Sequence, residues 1–247
     1  MFDQPPMPVE AMPRIAFADR AAAFAEVFLC SGFPTQVLLL VVMNGLGMRL
    51  QTANGTWSPL FVATLSLLDT VLIVGLALVF LRAHGESARE VLLGTRPVAR
   101  ELAAGLVLLP LVFMVTLLLL GLIITFAPQL HNVQRNPMAD LMQNPRDAVI
   151  FAFVVMIAGG VREEIQRGFI LRRFEQYLGG GAVGLALFSV LFGLGHVEQG
   201  YDVALATAVL GAFWGAIYLR RRSVAAPMVG HAGFNLLQVV KFVMWGA

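Results

Sequence analysis

The chain has far fewer charged residues than a water-soluble protein of its size would carry. Only 13% of its 247 residues are charged and 58% are hydrophobic, with a mean hydropathy of +0.80. A soluble domain has about a quarter of its residues charged. One hydrophobic core cannot hide so much apolar surface, so the composition predicts an integral membrane protein.

Cysteine is almost absent, and so are the features of a cleaved signal peptide. The single cysteine, Cys30, lies in an apolar run, so no disulfide can form within the chain and no redox compartment is indicated. The N-terminal stretch is proline-rich and lacks a basic n-region followed by a short apolar h-region. We interpret residues 1–20 as a cytoplasmic tail and expect the first membrane helix to serve as an uncleaved insertion signal.

Long apolar runs dominate the rest of the chain. Lipid admits only helices and closed barrels, and these runs are continuous rather than alternating, which favours helices. Residues 21–247 are therefore predicted to form a single all-α domain, a polytopic transmembrane helix bundle of about 7–8 spans. The candidate spans are residues 22–48, 58–81, 101–126, 147–171, 182–197, 202–219 and 224–245.

Basic residues predict how the chain is oriented in the plasma membrane. The positive-inside rule places the basic segment ends in the cytoplasm, which gives a cytoplasmic N-terminus and an outer C-terminus. The charged stretch 83–100 is then cytoplasmic and could form a short interfacial helix, and the polar loop 128–146 lies outside. The arginines reflect this topology rather than nucleic-acid binding. Eleven are assigned inside: Arg14, Arg20, Arg82, Arg89, Arg96, Arg100, Arg172, Arg173, Arg220, Arg221 and Arg222. Four basic residues are assigned outside: Arg49, Arg135, Arg146 and Lys241.

Several polar residues fall inside the apolar segments, where ionisable groups are costly and often functional. Glu163, Glu164 and Arg167 share one helical stretch, and Arg167 lies within one turn of both carboxylates. His196 ends another segment, and His231 precedes Asn235 by one turn in the last. Carboxylates and imidazoles together are the side chains that a metal site with a general base uses. Taken singly, each is also compatible with a solvated span end, an interfacial histidine or an interhelical hydrogen bond.

The order of these motifs resembles the CPBP family of CAAX prenyl endoproteases and bacteriocin-processing enzymes, also called the ABI family. Glu163-Glu164…Arg167 is followed by Phe192-x-x-x-His196 and then by His231-x-x-x-Asn235. The family's first motif is EExxxR, so Arg167 comes one residue early. If Arg167 is the anchor instead, Arg162 takes the first glutamate position. An arginine cannot act as a general base, so we favour the register anchored on the glutamates.

The resemblance implies an intramembrane, glutamate-dependent endopeptidase with a catalytic core at about residues 146–245. Glu163 would be the general base, and Glu164 would orient it or hold Arg167, which stabilises the buried carboxylates. His196 and His231 would bind a metal or position water. Asn235 would be a ligand or an oxyanion donor, and Phe192 would contact substrate.

The implied cofactor and substrate follow from the same residues. A divalent metal, with zinc the best match, would be bound by Glu163, His196, His231 and Asn235, although HExxH is absent. The substrate would be a peptide or lipidated peptide in the bilayer, and it would enter a polar cavity open to the cytoplasm. No nucleic-acid partner is expected.

Two other functions remain compatible with the sequence. A non-catalytic membrane scaffold or immunity protein of the same fold is favoured by the shortened first motif. An ion- or proton-coupled transporter would use midplane Glu and His residues, but the sequence shows no internal repeat.

Asp69, inside the second span, has no assigned role. Gly211 and Gly215 form a GxxxG pair that allows close helix packing.

Overall fold

A computed structural model describes residues 15–245, and these residues fold almost entirely into helices. The only β-type pairing among them is an isolated bridge between Gln51 and Trp57. The α-helices are α1 (Phe17–Leu29), α2 (Phe33–Gly45), α3 (Pro59–Ala83), α4 (Ala88–Leu93), α5 (Val98–Phe126), α6 (Pro145–Val154), α7 (Glu163–Tyr177), α8 (Gly181–Leu194), α9 (Tyr201–Arg221) and α10 (Ala225–Trp245). Short 3-10 helices are η1 (Pro128–Leu130), η2 (Pro137–Met142) and η3 (Val197–Gln199), and a π-helical segment covers Val155–Arg162.

The all-α membrane bundle is confirmed, and each apolar segment corresponds to one or two helices. The first segment is divided into α1 and α2, which meet at an angle of 43°. The fourth is a continuous succession of α6, the π segment and α7. Of the tail assigned to residues 1–20, residues 1–14 lie outside the described residues, and α1 begins at Phe17.

Not every described helix is long and apolar enough to cross a bilayer by itself. Three meet both conditions, namely α3, the combined α4–α5 stretch and α9, and the bent α1–α2 pair would make a fourth. The 14-residue α8 is shorter than a bilayer requires. Most polar residues of the candidate site lie on α7 and α10, and such residues lower the hydropathy of a segment.

Helix starts follow local sequence signals. Ser58, Ser87 and Asn144 each accept a hydrogen bond from a backbone N–H in the first turn of the helix that follows. Pro59 and Pro145 occupy first-turn positions, where the missing N–H has no helical partner to lose.

The outer surface of the bundle is apolar, as contact with lipid requires. Leu106, Val107, Leu117, Leu118 and Phe126, all on α5, are each more than half exposed. A soluble monomer rarely exposes so extended an apolar surface. The outward face of α5 therefore suits the hydrocarbon region of a membrane.

Two glycines bring the site helices close together. A Cβ added at Gly160 in the π segment would lie 2.4 Å from Cβ of Ala232 on α10. A Cβ added at Gly215 on α9 would lie 2.4 Å from the Leu185 side chain on α8. Only glycine permits such approaches, so Gly160 places α10 against the start of α7.

Candidate active site

The two glutamates of the first motif have different surroundings. Consecutive residues on a helix point about 100° apart, so Glu163 faces a cavity while Glu164 faces the packed interior. Glu164 is 1% exposed and accepts hydrogen bonds from Arg167 and from Nδ1 of His231, the latter at 2.8 Å. Oε2 of Glu163 lies 3.8 Å from Nε2 of His231. Glu164 is thus buried and paired through Oε1, and Glu163 is the carboxylate that a molecule in the cavity can reach.

Arg167 reaches Glu164 despite the shortened motif. The two residues are three apart on α7 and form an ion pair with no solvent exposure at the arginine. The guanidinium carbon also lies 5.3, 5.0 and 5.9 Å from the ring centroids of Phe188, Phe192 and Trp214. A buried arginine enclosed by aromatic faces is stabilised by cation–π attraction. The shortened spacing therefore does not prevent Arg167 from pairing with Glu164.

His231 lies between the glutamates and an aromatic ring that the sequence analysis did not identify. The ring stacks on Trp214 with centroids 3.9 Å apart and planes 15° from parallel. Because a carboxylate accepts, Nδ1 donates to Glu164, and the neutral ring then carries its lone pair on Nε2. A tryptophan in an apolar helix usually packs in the core, so the sequence alone does not identify Trp214 as a site residue.

Phe192 lies in the last turn of α8, and His196 is the second residue after the end of that helix. Nδ1 of His196 donates to the carbonyl of Phe192 at 2.8 Å, and the two rings meet edge to face at 5.1 Å. The carbonyl cannot donate, so the neutral imidazole also keeps its Nε2 lone pair free.

Asn235 lies one turn beyond His231 on α10. Its Nδ2 donates to the carbonyl of Val155 at 3.4 Å, which leaves its Oδ1 and a second N–H without a hydrogen bond to protein. The π segment therefore orients the amide.

A cavity of about 560 Å³ brings most of the predicted site residues together. Its wall includes Glu163, Phe192, His196, His231 and Asn235. The other two predicted residues, Glu164 and Arg167, are buried behind this wall. The same cavity is also lined by Trp214.

A second buried ion pair lies next to Glu163 and involves Asp69, which had no assigned role. Arg162 pairs with Oδ2 of Asp69, and its Nη1 lies 3.8 Å from Oε1 of Glu163. Thr35 donates to Oδ1 of Asp69 at 2.5 Å. The position of Asp69 in a membrane helix was the only signal, since its partner is 93 residues away.

The side chains on the cavity wall match a divalent metal in chemistry. Histidine nitrogens and carboxylate or amide oxygens bind such ions, and both imidazoles hold Nδ1 in a hydrogen bond, as metal-bound histidines do. Within residues 15–245, however, no three His, Cys, Asp or Glu side chains lie close enough to hold an ion. The donor types fit, but the donors are not gathered into a preformed site.

Comparison with protein families identifies the part of the chain that holds these residues. Residues 145–237 match the family model described as Type II CAAX prenyl endopeptidase Rce1-like. The predicted resemblance to the CPBP family is confirmed. The matched region covers less than half of the chain and includes every predicted site residue. It supports a CAAX-type intramembrane protease, that is, a hydrolase acting in a membrane. No curated protein and no solved structure matches the chain.

Proposed function

We propose that the chain is an intramembrane endopeptidase in which Glu163 activates the attacking water. The observation that carries this proposal is the unequal environment of the two adjacent glutamates. Glu164 is bound by Arg167 and His231, whereas Glu163 lines the cavity. A general base must reach the water that attacks the peptide bond, and of the two carboxylates only Glu163 lines the cavity.

The partners of Glu163 suit a general base. Nε2 of His231, 3.8 Å from Oε2, carries a lone pair in the neutral ring and can accept the second hydrogen of a water between them. Glu164 holds that ring from the other side through Nδ1, and Trp214 fixes its plane. Glu164 therefore acts as a positioning residue.

One residue of the cavity wall can stabilise the oxyanion that forms when water attacks, because the free N–H of Asn235 can donate to it. His196 keeps its lone pair on Nε2 in the neutral ring and can accept a hydrogen bond from a bound molecule. Arg167 has no exposure to the cavity. We assign it to neutralising Glu164 rather than to contacting substrate.

We also propose that the site can bind a divalent metal, and this is tested separately from the assignment of the general base. Glu163, His196, His231 and Asn235 would hold it, with the histidines binding through Nε2. When bound, it would lower the pKa of a coordinated water.

The proposed substrate is a peptide segment, with or without a lipid group, that reaches the cavity from the membrane. The volume of about 560 Å³ falls within the range of about 300–1,000 Å³ found for ligand pockets. Its walls combine apolar side chains with amides such as Gln199 and Gln238. Amides of this kind can hydrogen-bond to an extended peptide backbone.

The first test is hydrolysis by the full chain in lipid nanodiscs. Quenched fluorescent peptides, lipidated and unlipidated, are incubated with the parent, with Glu163→Gln and with Glu90→Gln, which alters an exposed glutamate on α4. We expect cleavage by the parent and by Glu90→Gln and none by Glu163→Gln. Metal content is measured in the parent and in His231→Ala. Cleavage by Glu163→Gln at the parent rate contradicts the assignment of the base.

A further inference from the structure

The two carboxylate oxygens of Glu163 face two different side chains. Oε2 lies 3.8 Å from Nε2 of His231, and Oε1 lies 3.8 Å from Nη1 of Arg162. The contact with Arg162 does not follow from helix geometry, because adjacent residues on a helix point about 100° apart and do not face each other. Something outside this helix must therefore direct the Arg162 side chain toward Glu163.

Asp69 on α3 directs the Arg162 side chain. Nη2 of Arg162 donates to Oδ2 of Asp69, which leaves Nη1 as the nitrogen beside Glu163. Among residues 15–245, Asp69 is the one hydrogen-bond acceptor of this guanidinium, and Nε is buried without an acceptor. Asp69 is therefore the single anchor that fixes where the Arg162 charge lies.

The first two helices hold Asp69 and make room for Arg162. On α2, Thr35 donates to Oδ1 of Asp69 at 2.5 Å, and Nε2 of Gln36 donates to Oδ2 at 3.4 Å. At the bend between α1 and α2, a Cβ added at Gly32 would lie 2.7 Å from Nη2 of Arg162. A larger residue at this bend would therefore displace the guanidinium. The bend, α2 and α3 together enclose the Arg162 side chain.

These supporting helices lie outside the part of the chain that matches the family model. The match covers residues 145–237, which include Arg162 and Glu163 but nothing of α1, α2 or α3. The side chains of Arg162 and Asp69 are 10% and 3% exposed. Neutral residues can often replace a buried ion pair without loss of stability. Stability alone therefore does not explain why this pair lies beside Glu163.

We propose that Arg162, anchored by Asp69, is a positioning residue for Glu163. Its charge attracts Oε1, which keeps Oε2 directed at His231, where the attacking water would be held. Because Asp69 neutralises Arg162, the guanidinium orients the Glu163 carboxylate without forming a close ion pair with it. Arg162 is not among the described residues that line the cavity, so it acts through Glu163. This inference rests on the proposed function in treating Glu163 as the general base.

The main test removes both charges of the pair at once. Asp69→Asn combined with Arg162→Met leaves neither buried charge without its partner, so this double variant should remain folded. Displacing a reacting group by about 1 Å can cost roughly 10²-fold in rate. On a peptide that the parent cleaves in nanodiscs, we expect kcat to fall by about 10- to 100-fold. KM should change far less, because no residue of the cavity wall is altered.

Two further variants show whether the effect is specific to this charge. Arg162→Lys keeps the charge but loses the fork of the guanidinium, so it should recover part of the parental kcat. Glu101→Gln combined with Arg221→Met removes a different ion pair, between α5 and α9, in which Nε of Arg221 lies 2.6 Å from Oε2 of the fully buried Glu101. This control variant should turn over at the parental rate.

A second measurement tests the contact between Arg162 and Glu163 without requiring turnover. Unfolding temperatures are compared for the parent, Glu163→Gln, the Asp69→Asn/Arg162→Met variant and the combination of all three substitutions. In the parent, Glu163→Gln should leave the unfolding temperature unchanged. In the double variant it should raise that temperature, because it removes a buried carboxylate that has lost its cation.

Three results would overturn the inference. The first is a parental kcat in the Asp69→Asn/Arg162→Met variant, and the second is an equal loss of kcat in that variant and in the Glu101→Gln/Arg221→Met control. The third is an equal effect of Glu163→Gln on the unfolding temperature in the two backgrounds, which would mean that Arg162 and Glu163 do not interact. Unequal effects in a protein whose Glu163→Gln variant still cleaves at the parental rate would contradict the proposed function alone.

Discussion

Asp69 is 2% exposed in α3 and pairs with Arg162, the residue that precedes Glu163. Removing one partner of a buried ion pair leaves an uncompensated charge and costs about 3–5 kcal/mol. We expect Asp69→Ala to lower the unfolding temperature of the detergent-solubilised protein markedly. Asp19→Ala, at an exposed position on α1, is the matched control. Equal unfolding temperatures for the two variants would show that the pair contributes no net stability.

Trp214 provides a second prediction at the residue scale. Its Nε1 is buried without a hydrogen-bond partner, while its ring stacks on His231. Trp214→Phe keeps an aromatic face and removes an unsatisfied donor, whereas Trp214→Ala leaves a cavity that costs about 3–5 kcal/mol. We expect Trp214→Phe to retain most of the peptidase rate and stability, and Trp214→Ala to lose both. Equal loss in the two variants would argue against stacking as the function of this ring.

The reactive residues could be predicted because each carries a polar group into an apolar segment. Glu163, His196, His231 and Asn235 all line one cavity, as the spacing suggested. Trp214 and the partner of Asp69 could not be predicted, since one resembles core and the other depends on a contact between residues far apart in the chain. Pairings of this kind are created by tertiary packing.

At the scale of helices, the close approach of the π segment to α10 decides whether His231 reaches the glutamates. A Cβ at Gly160 would lie 2.4 Å from Cβ and 2.8 Å from Cα of Ala232. Forcing extra atoms into such a contact costs about 1–3 kcal/mol. We expect Gly160→Ala to lower the unfolding temperature and to reduce turnover by displacing His231.

Gly75→Ala on α3 is the control for this prediction, because a Cβ there meets nothing within 4 Å. Alanine favours helix over glycine by about 1 kcal/mol, so this variant should be as stable as the parent or more so. A Gly160→Ala protein with parental stability and turnover would show that α10 has room to shift without moving its histidine.

Helix positions were more predictable than helix irregularities. Apolar runs located α3, α9 and α10 to within a few residues of their observed ends. The bend between α1 and α2 and the π segment before Glu163 have no periodic signal. At the bend, Gly32 has a φ of 89° and lies against the side chain of Arg162. This contact exists only in the folded bundle, so the local sequence does not predict the bend.

At the scale of the whole molecule, an ion network holds three separate parts of the bundle together at the end where α3 leads into α4. Arg173 is fully buried and pairs with Glu26 of α1 at 2.6 Å and with Glu86 of the connection between α3 and α4. Arg172 pairs with Glu86 at 2.7 Å. The network thus ties α1 and the end of α3 to α7, the helix that begins at Glu163.

This network predicts a pH dependence of stability. Burial raises the pKa of the Glu86 carboxyl, but hydrogen bonds from Arg173 and Arg172 outweigh it and hold that pKa below its ordinary value. The stabilisation is therefore complete above the ordinary pKa of an unfolded glutamate and is lost as pH falls through the lowered folded value. Unfolding temperatures measured from neutral to acidic pH should fall less steeply in Glu86→Gln than in the parent. Parallel curves would exclude Glu86 as a source of acid sensitivity.

The most direct test of the central claim is the turnover number of the full chain in nanodiscs, compared with Glu163→Gln and Glu163→Asp on a peptide that the parent cleaves. A positioned general base contributes roughly 10²- to 10⁴-fold to rate. We expect Glu163→Gln to lose a factor in that range, Glu163→Asp to recover part of it, and both variants to unfold at the parental temperature. Turnover by Glu163→Gln within a few-fold of the parent would contradict the account and assign the base to another residue.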